Sequence, residues 1–365
     1  MRLNVLTSYL ESLAPLAYQE SYDNSGLLVG SPDREVHHAL VSLDCTEAVV
    51  DEAIRLGCDL IISHHPIVFR GLQRFNGSNY VERVIIKAIK HDIAIYAIHT
   101  NLDNVAGGVN GKIAERLGLR QTQVLQPKGD LLNKLVVFVP VNHATAVREA
   151  LFAAGAGDIG KYDACSFNVT GYGTFRAGEG TKPFVGQQGE LHREEETRVE
   201  VIYPSDRQQA VLKSLFETHP YEEVAYDSYR LQNHYPAVGS GLIGQLEQPM
   251  EEMDFLGLLK EKLAATVIRH TALRGQPIAR VAVCGGAGGF LLKPAIRAGA
   301  DVFVTADYKY HEFFDAEGKT VIADVGHFES EQFTQQLLLE IIQKKFPTFA
   351  VRLTGIDTNP IKYYS

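Results

Sequence analysis

The chain is predicted to be an α/β protein: two duplicated α/β halves forming one domain, interrupted by an inserted ferredoxin-like β-α-β-β-α-β module. Three observations carry this. Short β-rich runs alternate with amphipathic segments at both ends of the chain, which is the rhythm of a layered α/β domain. Between about 127 and 235 the rhythm changes to strand, helix, two strands, helix, strand. The third observation is an internal repeat. Residues 53–63 read AIRLGCDLIIS and residues 295–305 read AIRAGADVFVT, with five identities at a constant offset of 242.

In order, a helix over about Asn4 to Leu13 leads to the strand HALVSL (38–43), the helix TEAVVDEAIRLG, the strand DLIIS and the helix YVERVIIKAIKHD. The strand IAIYAI (93–98) and the helix NGKIAERLG complete the first half, 1–126. The insertion, 127–235, begins with the strand KLVVFVPV and the helix HATAVREALFAAG. Strands YDACSFNVTGYGTF and TRVEVIYP follow, then the helix DRQQAVLKSLFETH and the strand EEVAYDSYRL. The Gly-rich, charged stretch 171–197 exceeds a tight hairpin turn and is expected as an exposed, mobile loop. In the second half, 236–365, RVAVCGG (280–286) falls on HALVSLD (38–44) at the same offset. With a shift, VIADVGHFESE (321–331) resembles IYAIHTNLD (95–103), so His327 and Glu331 are spaced like His99 and Asp103.

Composition narrows the function. Hydrophobic residues make up 45% and charged residues 22%, and 44 acidic against 35 basic side chains leave a net charge of −9. That balance disfavours a nucleic-acid or membrane-surface binder. Cys45, Cys58, Cys165 and Cys284 form no CxxC pair and are expected as reduced thiols of a cytoplasmic protein. No signal-peptide pattern and no membrane-spanning apolar run is present.

The candidate site starts from LIISHHPIV (60–68), where two imidazoles interrupt an apolar strand. Neighbouring side chains in a strand point to opposite faces. His64 and His65 therefore belong at the strand's carboxyl end, where Pro66 releases the chain and where open α/β sheets place ligands. AIHTNLDN and VGHFESE each add an imidazole with a carboxylate four residues on, which share a face if a helix starts at once. His64, His65, Asp103, His327 and Glu331 are too many donors for one open tetrahedral zinc site and suit two divalent cations sharing carboxylates. Imidazole and carboxylate donors without thiolate fit zinc, iron, manganese or cobalt. His99 and Asp307 are candidates for proton transfer or for orienting a ligand. Lys309 and His311, in the repeat position of SHHPIVF, are expected near the cleft, with Lys309 available to an anionic substrate. CGGAGGF (284–290) offers backbone N–H groups for an anion or forms a tight turn, and it lacks the third glycine of a dinucleotide fingerprint.

SHHPIVF, IHTNLDNVAGGVN, TADYKYHEF and VGHFESE together resemble the Nif-three-like family, the GTP cyclohydrolase 1 type 2 homologues. YDNSGLLVG (22–30) is similar to that family's opening motif, and the inserted segment resembles its PII-like or CutA-like module through GKYDACSFNVTGYGTF and HPYEEVAYD. The resemblance implies a dinuclear metal site on the same five residues and a toroidal homohexamer. Ser330 stands where members often carry Thr before the ligand glutamate. Two functions are compatible with this: a metal-dependent hydrolase of a nucleotide or similar small anionic molecule, and a non-catalytic metal-binding or regulatory assembly whose insertion senses a small molecule or protein.

Overall fold

The structure is a computed structural model and describes residues 1–364. It divides into two compact units, one of Met1–Pro127 together with the segment from Ala237 onward, the other Lys128–Pro236.

The first unit holds two mixed sheets. One has five strands in the order Gly26–Val29, Ala94–Ala97, Leu60–Ser63, His38–Ser42, Ala350–Leu353. Only the Gly26–Val29 edge runs antiparallel. The other has six, in the order Arg269–His270, Val321–Asp324, Val302–Thr305, Ile278–Val283, Tyr235–Met250, Arg120–Lys128. Its central three are parallel. Buried on both faces, these parallel strands are short runs of Val, Ile, Leu and Ala rather than alternating patterns. The registers correspond at the repeat offset: Val41 lies level with Ile62, and Val283 with Val304. Val41, Ile62 and Tyr96 share one hydrophobic core with Val283, Val304 and Ala323.

Helix ends follow local chemistry. The helix Glu47–Leu56 starts where Thr46 Oγ1 accepts the Val49 N–H at 3.3 Å and stops at Gly57, whose φ of +66° a side chain rarely adopts. Because the central strands of each sheet are parallel, their carboxyl ends share an edge. His64 and His65 follow one strand, His99 the next, Asp307 and His327 their counterparts.

The second unit has four antiparallel strands, Leu132–Pro140, Phe167–Arg176, Leu191–Pro204 and Tyr226–Leu231, lying in the order second, third, first, fourth. Helices Ala144–Ala153 and Gln208–Thr218 cover one face, with Val147, Leu151, Val211 and Leu215 against Leu135, Val137, Val199 and Tyr203. The expectation of a loop over 171–197 is overturned. Residues 167–176 pair with 191–200 in an unbroken antiparallel ladder, which leaves only 177–190 as the connection. Main-chain pairing does not require apolar side chains, so glycines and charges on this uncovered face hid the hairpin.

Candidate metal centre

The donors meet in a cavity of about 560 Å³ within the first unit. Glu331 is its hub. Glu331 Oε2 lies 2.9 Å from His65 Nε2, 3.0 Å from His327 Nε2 and 3.9 Å from His64 Nε2, and Asp103 Oδ1 is 3.6 Å from His64 Nε2. Beside the trio His64–His65–His99, two triads result, His64–Asp103–Glu331 and His65–His327–Glu331, each group with its ligand atoms within 4.8 Å of one another. The two triads share one carboxylate.

The far side of each imidazole is tied down. His65 Nδ1 bonds Asp44 Oδ1 at 2.7 Å, His327 Nδ1 bonds Asp307 Oδ2 at 2.7 Å, and His99 Nδ1 bonds Asp23 Oδ1 at 2.8 Å. His64 Nδ1 donates to the Ile98 carbonyl at 2.8 Å. Such partners set the tautomer and aim Nε2 inward. Asp307 is held at φ +57°, a conformation uncommon for a residue with a side chain and a form of local strain associated with functional sites. Gly286 is required at +62°, because a Cβ there would lie 2.4 Å from Glu331 Oε1.

The electrostatics call for positive charge. His64 is fully buried, and burial pushes its pKa down to about 3, so its ring is neutral. With Nδ1–H spent on Ile98, Nε2 presents a bare lone pair toward Asp103 and Glu331. Among the described residues, neither His64 Nε2 nor Asp103 Oδ1 has a hydrogen-bond partner, although both atoms are buried. Two facing acceptors at 3.6 Å need positive charge between them, either a cation or a proton retained on Asp103. Burial and the charge of Glu331 push Asp103 well above the usual carboxylate range. Burial opposes the charged form of His65, but its bonds to Asp44 and Glu331 prevail and raise it to about 9. His327 behaves alike: burial is outweighed by Glu331 and Asp307, and its pKa rises to about 11. Glu331 itself is pulled well below its ordinary value, His327 and His65 overcoming its burial. The residues present therefore fit divalent cations: acceptor atoms converge, and two imidazoles hold protons that a metal can replace.

A family model described as Duf34/NIF3 (NGG1p interacting factor 3) matches residues 1–360. The chain belongs to the DUF34/NIF3 family. It is 41% identical over 361 residues to the GTP cyclohydrolase 1 type 2 homolog of Halalkalibacterium halodurans, covering 97% of this chain and 96% of that one. To the homolog of the same name from Bacillus subtilis it is 40% identical, with the same coverage. Among solved structures, a Bacillus cereus protein related to NIF3 superposes with a TM-score of 0.84 at 40% identity, over 99% of both chains.

Within this family member, the structure decides two readings that the sequence left open and overturns one expectation. His99 and Asp103 do not act as a pair: the helix does start at once, Thr100–Asp103, but His99 turns to Asp23 and groups with His64 and His65 instead. His327 and Glu331, the matching pair, do close on each other. Lys309 and His311 do not line the cavity. The Lys309 ammonium is exposed and lies 3.7 Å from Glu312, and His311 packs on the Tyr310 ring. Among the described residues, no lysine or arginine lines the cavity. In the CGGAGGF loop the N–H groups of Gly285, Gly286 and Gly288 donate to Asn110, Ser330 and Thr305, which favours the tight turn over an anion cradle. Asp23 and Asp44 went unread, because nothing in their local sequence names an imidazole 76 or 21 positions away. The only signal for Asp23 was its place in YDNSGLLVG.

Proposed function

We propose that the protein is a dinuclear metal-dependent hydrolase of a nucleotide or similar small anionic molecule. The observation that carries it is the pair of triads joined at Glu331 Oε2, with the buried, partnerless His64 Nε2 and Asp103 Oδ1 facing each other. His64, Asp103 and Glu331 would hold one cation, His65, His327 and Glu331 the other. Two cations held there would supply Lewis-acid polarisation of a substrate oxygen and lower the pKa of bound water toward neutrality.

The chain's own residues supply the remainder. Asp44 and Asp307 hold His65 and His327 in the tautomer that presents Nε2. The buried Asp23 carboxylate, anchored by the Thr100 N–H and hydroxyl, orients His99 so that its Nε2 can accept or return a proton. Tyr22, Phe69, Tyr80 and Phe290 line the cavity and offer faces on which a purine stacks. With no lysine or arginine on the wall among the described residues, negative charge on the substrate would be met by the bound cations. Relatives carrying the name GTP cyclohydrolase 1 type 2 homolog support a purine nucleotide as the first substrate to test. The experiment is turnover of a nucleotide panel by metal-reconstituted protein beside a His65→Ala variant stripped of metal. Turnover that survives in that variant would sink the proposal.

Three further readings belong here. The sheet order and one-sided helices of the Lys128–Pro236 unit support a ferredoxin-like, PII-like module. The matching registers support duplication of the two halves. Assembly as a toroidal homohexamer gains support from the exposed aromatic pair Tyr310 and Phe314, 73% and 66% accessible. Light scattering that returned a monomer mass would exclude the ring.

A further inference from the structure

The Lys128–Pro236 unit contains a second cavity, of about 620 Å³, on the sheet face opposite its helices. Phe138, Phe175, Phe184, Tyr221, Glu196 and Arg198 are among its lining residues. The pairing of Gly171 with Glu196 and of Val169 with Arg198 puts all four residues on the same face of the hairpin. The carboxylate sits directly over a glycine: a Cβ on Gly173 would lie 2.1 Å from Glu196 Oε2.

Glu196 is only 8% exposed, and Tyr221 donates its hydroxyl to Glu196 Oε1 at 3.0 Å. Oε2 takes no hydrogen bond, and Glu196 forms no ion pair among the described residues. Arg198, the basic side chain beside it, instead pairs with Glu200 at 2.9 Å. The wall around this carboxylate is aromatic. Phe175 and Phe184 stand 6.2 and 6.1 Å from the Tyr221 ring, tilted by 58° and 49°. Tyr221 is fixed from behind, its N–H donating to His219 Nδ1 while His219 Nε2–H donates to the Phe138 carbonyl. The loop carrying Phe184 is tied as well, by Lys182 N–H to Glu222 and Gln188 to the Thr181 carbonyl.

We propose that this cavity binds a small organic cation, an ammonium carried on an apolar body, with Glu196 as counter-charge and the rings of Phe175, Phe184 and Tyr221 as the cage. Aromatic faces attract cations within about 6 Å of the ring centre, and a carboxylate lacking a protein counter-ion adds the complementary charge. The wall carries Arg176 and Arg198 against Glu196, Glu222 and Glu223; with Arg198 already engaged by Glu200, an anion would meet more negative than available positive charge. A neutral ligand would leave the buried charge unpaired. The inference concerns the inserted unit and stands apart from the metal centre.

The test is a ligand-observed NMR titration of the full chain with choline, with dimethylbutanol as its uncharged carbon isostere, and with benzoate. Choline is expected to bind saturably, and the isostere and benzoate at least about tenfold more weakly. Glu196→Gln is expected to weaken choline by about tenfold or more while melting temperature and metal content hold. Phe184→Ala removes a half-exposed ring from the loop without touching the core and is expected to weaken choline in the same direction. If Glu196→Gln fails to fold, Phe184→Ala decides. Absence of saturable choline binding, equal affinity for the isostere, or unchanged affinity in a folded variant overturns the proposal.

Discussion

Replacing Gly286 by alanine separates backbone strain from damage to the metal centre. At φ +62° an alanine pays the left-handed penalty, about 1–2 kcal/mol. Its Cβ would also sit 2.4 Å from Glu331 Oε1 and 3.2 Å from His327 Cε1, so the Glu331 carboxylate must swing away. Any such movement disturbs the 2.9 and 3.0 Å contacts of Oε2 with His65 and His327. Gly318 is the matched control, at φ +68° with no atom within 4 Å of the added carbon. Both variants should lose about 2–8 °C of melting temperature in the metal-free form. Only Gly286→Ala should lose metal affinity, by about 10–100-fold, the range seen when groups that orient ligands are disturbed. Competition against a chromophoric chelator measures it. Equal affinities for the two variants would refute the argument that Glu331 is the hub.

Asp307→Asn removes the charge behind His327 and should weaken metal binding by about 10–100-fold without emptying the cavity of its other donors, again read by chelator competition. The pH dependence follows from the imidazoles. In the metal-free protein His65 and His327 titrate at about 9 and about 11, so both are protonated at neutral pH and the metal must displace their protons. Affinity should therefore climb as pH rises toward 9, with proton release visible as a calorimetric heat that varies with the buffer's ionisation enthalpy; a buffer-independent heat would contradict it. Asp301 accepts from Arg274 and from the Ala279 and Arg280 N–H groups, and these bonds outweigh its burial and lower its pKa. Asp301→Ala should cost about 1–3 kcal/mol at neutral pH. Because the folded pKa is depressed, that contribution is present above the unfolded value and lost as pH falls through the folded one, so wild-type and variant urea curves should converge in acid.

Local sequence was enough for the central parallel strands of the first unit, for the alternation of elements in the second, and for five donors that the fold brings together. The parallel strands read as short apolar runs, and their ends could be recognised because imidazoles and carboxylates there break the hydrophobic pattern. His64 and His65 announce themselves beside Pro66, and His327 and Glu331 announce themselves by their helical spacing. Tertiary structure decided what these residues do to one another. It gave His99 to Asp23 rather than to Asp103, set Asp44 and Asp307 behind the ligand imidazoles, and turned Lys309 away from the cavity. It also folded 171–197 mostly into a hairpin and left Glu196 beneath an aromatic wall. Periodicity and capping act over a few residues and leave marks in the local sequence. Hydrogen bonds between strand ends, and counter-charges for a buried carboxylate, join positions up to hundreds of residues apart, and only the packed sheets bring them within 3 Å.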